Sequence, residues 1–155
     1  GRQDLLYNII QEIADNLVSF RRKTTSATIE NYITALTESF VLYKAGGMMQ
    51  GKTAPEILEK YYVVDTGLRT LLLGKKKSDI GHILENIVYL ELIRRGYSVS
   101  IGKVGELEID FIAEKSGSKV YYQVSASVLD PVTFEREITP LRRVQDNYPK
   151  FIITM

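Results

Sequence analysis

Four side chains set the chemical question. Glu85 closes the run Gly81-His82-Ile83-Leu84-Glu85, Asp110 ends Glu108-Ile109-Asp110, and Gln123 and Ser125 flank Val124. A carboxylate on a helix and another on a following strand are hard oxygen donors of the kind that hold magnesium for phosphodiester cleavage. Such a site also asks for Glu-x-Lys on the next strand, where period-two spacing sends both side chains to one face. Gln123 fills the acid's place with a carbonyl oxygen and no charge, and Ser125 stands where the lysine would. The pattern predicts a shared site for Glu85 and Asp110, with Mg2+ as the ion they would hold. The catalytic set Glu85, Asp110, Gln123 and Ser125 reads as degenerate. Lys119, four residues before Gln123 on the same strand face, or Lys103 would have to supply the missing positive group.

The elements that must position these groups follow from periodicity. A helix is predicted over about 80–95, capped by Ser78 or Asp79 and closed by Gly96. On a wheel of about 100° per residue, Ile80, Ile83, Leu84 and Ile87 form one stripe. Glu91 falls within that stripe and Glu85 at its edge, beside Val88 and Leu92. An unpaired buried charge is costly, so Glu91 reads as an ion-pair partner of Arg94, Arg95 or Arg136, and His82 as a helix-surface residue. Strands are predicted at about 97–101, 108–114 and 120–125, with a turn at Ser116-Gly117-Ser118. Alternation puts Ile109, Phe111 and Ala113 on one side of the middle strand and Glu108, Asp110 and Ile112 on the other. A helix over about 132–146, disturbed by Pro140, precedes a last strand at 151–154.

The first half has a different rhythm. Leu6, Ile9, Ile10, Ile13 and Leu17 predict a helix over about 4–18, and a polar basic stretch follows. A second helix starts near Ser26 or Thr28, with Ile29, Ile33, Leu36 and Phe40 on one face. Short strands at 41–45 and 61–64 bracket the glycines Gly46, Gly47 and Gly51, and a short helix over 66–73 ends at Gly74. Helix, helix, strand, glycine-rich loop, strand is the order of a winged helix-turn-helix, whose second helix enters the DNA major groove. Arg21, Arg22, Lys23, Thr28, Asn31 and Lys52 are then the candidate nucleic-acid contacts. The segment Gly46-Gly47-Met48-Met49-Gln50-Gly51-Lys52-Thr53 also matches the phosphate-loop pattern G-x-x-x-x-G-K-T letter for letter. That motif needs a full helix directly behind it, and Glu56 to Lys60 gives barely two turns before the next strand. The segment therefore reads as a wing loop, and Asp65 is too close to it to act as the acid of a nucleotide site.

Composition narrows the field. The 155 residues carry 20 Lys+Arg, 19 Asp+Glu, one His and no Cys. Disulfides, a thiolate nucleophile and a cysteine-based zinc site are excluded, and a single His disfavours a His-rich metal centre or a Ser-His-Asp triad. No apolar run reaches the roughly 18 residues of a transmembrane helix, and cytoplasmic residence is the expectation. Residues 1–77 hold 11 basic and 8 acidic side chains; residues 78–155 hold 9 and 11. The mild basic excess of the front half, with Arg21-Arg22-Lys23 and Lys75-Lys76-Lys77, permits phosphate contacts.

Several runs together carry a family resemblance: Lys60 to Arg69 (KYYVVDTGLR), Gly81 to Leu92 (GHILENIVYLEL), Arg94-Arg95-Gly96-Tyr97, Glu108-Ile109-Asp110-Phe111, Gln123-Val124-Ser125, Arg136-Glu137 and Asp146 to Lys150 (DNYPK). The chain resembles the C-terminal half of a large prokaryotic family of AAA+-type ATPases, over nearly its whole length. The resemblance implies a winged helix at 1–76 and a domain similar to PD-(D/E)xK nucleases at 77–155, the latter truncated at its C-terminal end. The expected fold class is thus α/β (α+β overall), with a restriction-endonuclease-like mixed sheet flanked by helices. The second half also resembles archaeal Holliday-junction resolvases through Gly81, Glu85, Asp110 and Ala113, and departs from them at Gln123 and Ser125. The implied function is a nucleic-acid-binding or regulatory module that works with an ATPase module of the same full-length protein. ATP is expected only in that module, and no cofactor in this region beyond Mg2+. The alternatives are an active magnesium-dependent DNA endonuclease and a protein-interaction module without nucleic-acid binding.

Overall fold

The structure, a computed structural model, describes residues 25–50, 59–73 and 80–155. The Thr25 hydroxyl accepts from the Thr28 backbone N–H at 3.3 Å, an N-cap that opens helix α1, Ser26–Glu38. The helix closes with Phe40 N–H donating to Thr37 O and Val41 N–H to Leu36 O, while Phe40 takes a left-handed φ of 58°. Of the predicted apolar face, Ile29 is buried but Leu36 and Phe40 are exposed. Phe40 lies past the end of the helix and no longer follows its wheel.

Strand β1, Leu42–Gln50, pairs antiparallel with β2, Glu59–Val63. It also pairs in parallel, through Gly47 to Gln50, with β3, Ser98–Val104. Gly46 to Gln50 are thus extended strand where a loop was predicted. Backbone held in strand pairing, Gly46 with β2 and Gly47 to Gln50 with β3, cannot wrap a phosphate. The rest of the phosphate-loop match, Gly51 to Thr53, lies outside the described residues, as do the predicted helix at 4–18, Arg21, Arg22, Lys23 and Lys75 to Lys77. Helix α2, Thr66–Leu73, is capped by Asp65, whose Oδ1 accepts from the N–H groups of Gly67 at 2.6 Å and Leu68 at 3.3 Å.

Helix α3, Ile80–Arg94, ends in the same pair of reverse bonds as α1, here with Gly96 at a φ of 80°. Its buried residues are Asn86, Val88, Tyr89 and Leu92, whereas Ile80 and Ile87 are exposed. The predicted stripe is therefore rotated. This helix is apolar around most of its circumference, so packing rather than hydropathy selects the inner face. Strands β3, β4 (Leu107–Lys115) and β5 (Ser118–Val124) form an antiparallel meander. Its turns place Gly105, then Ser116 and Gly117, at positive φ. Helix α4, Pro131–Arg143, begins at an Asp130 cap and stops short of the predicted 146; β6, Lys150–Ile153, then pairs parallel to β5. Tyr121 OH, Lys150 and Asp146 tie the turn between them, with the hydroxyl 2.5 Å from Asp146 Oδ2.

The result is one six-stranded mixed sheet in the order β2-β1-β3-β4-β5-β6. It joins strands from both sides of the boundary expected at 76/77, which itself falls outside the described residues. Residues of α3 pack on one face with Ala45, Tyr62, Ile101, Phe111, Ala113 and Val124. Leu141 of α4 and Val144 behind it pack on the other with Ile109, Ile112 and Tyr121. No helix among the described residues is long and apolar enough to cross a membrane.

Candidate functional site

The site begins with an irregularity in β4. Ser100 pairs with Ile112 and Gly102 with Ile109, so Ile101 alone opposes both Asp110 and Phe111. This is a β-bulge, and it breaks the alternation. Ile109 and Ile112 both turn to the α4 face, while Phe111 and Ala113 turn to α3. Asp110 feels the charge of Glu85 on α3. The predicted grouping of Ile109 with Phe111, and of Asp110 with Ile112, is corrected by this one extra residue. Gly102 makes room for it: a Cβ there would lie 2.9 Å from Ile112 Cδ1 and 3.0 Å from Ile109 Cβ.

Beyond the bulge, side chains replace the β4–β5 ladder. The last paired residues are Phe111 and Tyr122. Past them Val124 N–H donates to Asp110 Oδ2 at 2.8 Å, and Asp110 N–H donates to Gln123 Oε1 at 3.2 Å. Gln123 Nε2 reaches Glu108 O at 3.5 Å. Gln123 is thus a buried splint between two diverging strands rather than a spare donor facing a cavity. Ser125 is buried as well, its hydroxyl donating to Ser127 O at 3.1 Å.

The positive group comes from the other half of the molecule. Lys60 and Tyr62, two apart on β2, reach the same oxygen of Glu85: Nζ at 3.1 Å and the hydroxyl at 2.7 Å. Lys60 also forms an ion pair with Glu108. Two features hold β2 in place. Buried Asn86 exchanges two hydrogen bonds with the Val63 backbone, at 2.8 and 2.9 Å. The Tyr62 ring stacks on Tyr89 with centroids 4.1 Å apart.

Electrostatics follow from three acids gathered around one base. Burial pushes the Asp110 carboxyl up and the Glu85 charge adds to this; the Val124 N–H and Lys60 pull it back, leaving it at about 7. Burial works against the Lys60 ammonium, but Glu85, Glu108 and Asp110 outweigh it and hold its pKa above the usual lysine value. Burial first, then Glu85, raises the Tyr62 phenol, which stays a donor.

The lysines expected to reach in are engaged elsewhere. Lys119 lies 3.0 Å from Glu114 and over the Tyr148 ring; Lys103 faces Glu106 at 3.7 Å. Glu91 pairs with Arg94 and Arg95 on the helix surface, as the sequence indicated, and these two guanidinium groups lower its pKa to about 2. Arg136 pairs instead with Glu137. His82 is exposed. Among the candidate nucleic-acid contacts, Thr28 hydrogen-bonds to Thr25 and Asn31 is exposed on α1; Lys52 lies outside the described residues. Lys60, Tyr62 and Glu108 were not singled out from the sequence as site residues. Glu108 stands two residues from Asp110 in the sequence, but the fold that brings Lys60 and Tyr62 of β2 to α3 is not visible there.

These residues do not fit the magnesium ion that the family resemblance implies. Glu85 accepts from Lys60 and Tyr62, one Asp110 oxygen accepts from Val124, and Gln123 Oε1 accepts from Asp110 N–H. Among the described residues, no group of three or more Asp, Glu or His side chains is placed to hold a metal ion.

No family model matches the chain, and no solved structure matches it significantly. Two curated proteins are similar to it. An uncharacterized protein of Haemophilus influenzae is 40% identical over 144 residues, which cover 92% of this chain and 35% of that protein. An uncharacterized protein of Methanocaldococcus jannaschii is 32% identical over 107 residues, 66% of this chain and 24% of that protein. The chain thus spans about a third of the length of the first relative and about a quarter of the second.

Proposed function

We propose that this chain is a nucleic-acid-binding or regulatory module, built on a nuclease-like sheet whose cleavage chemistry is lost, and that it serves a cytoplasmic ATPase of the AAA+ type. The observation that carries this reading is the internal neutralisation of the acids. Lys60 pairs with Glu85 and Glu108, while the groups at the Glu-x-Lys positions, Gln123 and Ser125, are spent on backbone and loop. An acid-bearing helix, a bulged meander, a second helix and a parallel strand support the nuclease-like ancestry. A helix followed by the β1–β2 hairpin supports a winged helix in front of it. The length of the relatives outside the matched region leaves room for the ATPase module.

The test uses supercoiled, linear and branched DNA with Mg2+ or Mn2+. The expected outcome is binding that weakens steeply with salt and no cleavage. Cleavage that disappears in Asp110→Ala would establish the endonuclease instead. Absence of any DNA binding at low salt would leave the protein-interaction reading.

A further inference from the structure

The two edges of the sheet are finished differently. At the β2 edge, Asn86 takes up the outward N–H and C=O of Val63. At the other edge, nothing among the described residues pairs with the outer side of β6. The inner ladder of β6 uses alternate residues: Tyr121 N–H donates to Pro149 O and Ser125 N–H to Ile153 O. In a parallel pair this turns the backbone groups of Phe151 and Ile153 toward β5. It leaves the N–H and C=O of Lys150, Ile152 and Thr154 pointing away from the sheet. We infer that this edge is a self-association site, at which β6 of a second copy pairs antiparallel about a two-fold axis at Ile152.

Three observations favour a second copy. First, the devices that keep an edge strand solitary are missing. β6 has no bulge and no proline within it. Its one charged side chain is folded back: Lys150 Nζ donates to Asp146 O at 2.6 Å and to Asp146 Oδ1 and Tyr148 O at 3.1 Å, and it lies over the Tyr121 ring. Second, the strand is complementary to itself. A two-fold register sets Ile152 against the partner's Ile152, Phe151 against the partner's Ile153 and Lys150 against the partner's Thr154. Apolar side chains then meet apolar ones, and like charges are not opposed. The outward N–H and C=O groups fall opposite one another at each of these hydrogen-bonding positions. Third, apolar side chains collect beside the edge. Phe151 is half-exposed and Met155 largely exposed. Thr154 Oγ1 donates to Ala126 O at 3.4 Å, which brings the end of the strand next to the loop carrying Leu129, 93% exposed. An isologous contact covers this rim on both copies at once. It also continues the sheet through the axis and puts the two β1–β2 hairpins at opposite ends.

The experiment follows the whole chain and two variants by sedimentation equilibrium across micromolar concentrations, with amide exchange read by NMR. The unaltered chain is expected to dimerise. Its Ile152 and Thr154 amides should become protected only as the dimer forms, whereas those of Phe151 and Ile153 are protected throughout. Ile152→Pro removes an outward N–H and keeps both inner ones. It is expected to retain the circular dichroism of the unaltered chain and to weaken dimerisation at least about tenfold. The Ile152 side chain also packs against the cluster beneath α4, so Phe151→Lys, at a half-exposed position, is the second variant. It brings a lysine from each copy into the contact and should weaken dimerisation to a similar extent, even where Ile152→Pro does not fold. A monomer at every concentration overturns the inference, whether the edge then takes a strand from another protein or stays bare. So does a dimer whose Ile152 and Thr154 amides exchange as fast as in the monomer, or one that a folded variant leaves intact.

Discussion

Asp110 is stabilised as a carboxylate by Val124 N–H and Lys60, and destabilised by burial and by Glu85. The second pair wins, and this fixes the sign of its pH dependence. Folded Asp110 holds its proton up to about pH 7, whereas an unfolded aspartate releases it near pH 4. Between those values the folded state binds more protons. The contribution of Asp110 to stability therefore falls as pH rises through that window and levels off above it. Asp110→Asn keeps a carbonyl for Val124 N–H but removes the titration. Urea unfolding at pH 5 and pH 8 should show a flatter profile, with the variant more stable than the unaltered chain at pH 8 by on the order of 2 kcal/mol. A larger stability gain at pH 5 than at pH 8 would contradict this account of the residue.

At the scale of elements, β2 depends on α3. Asn86 satisfies the outward N–H and C=O of Val63 on an edge strand. Asn86→Ala leaves both groups without those partners and should cost about 2–3 kcal/mol by chemical denaturation. The same change frees Lys60, so it should couple non-additively with Lys60→Gln in a double-mutant cycle. Gly102→Ala acts on the bulge. Its methyl group meets Ile109 and Ile112, which cannot both yield, and a loss of about 1–3 kcal/mol is expected in a thermal melt. The elements themselves were largely legible. The sequence placed helices near 26, at 66–73 and from 80, and strands around 110 and 121, because turn glycines and apolar periods are local signals. What it misjudged was set elsewhere in the chain. The inner face of α3 is chosen by the aromatic cluster of Tyr62, Tyr89 and Phe111. The side to which Asp110 turns is chosen by pairing with β3. Glu85 and Asp110 were legible as candidates from residue type, whereas Lys60 entered from a strand that reads as part of a different unit.

For the molecule as a whole, one sheet carries both the hairpin beside α1 and the acids of β4. If the front half holds DNA, replacing Arg21, Arg22 and Lys23 with alanine should lower the slope of log affinity against log salt by up to about 2–3, measured by fluorescence anisotropy. An unchanged slope would place the phosphate contacts elsewhere. The parallel register of β1 and β3 has a separate consequence. Gly47 to Gln50 pair with Ile101 to Val104, some fifty positions away. A contact so distant in sequence forms late, after shorter loops have closed. Until β3 arrives, this stretch of β1 presents unpaired amides and carbonyls to any neighbouring chain. Refolding yield should accordingly decline as protein concentration rises, and a ribosome making this chain leaves one ladder open until the second half has emerged.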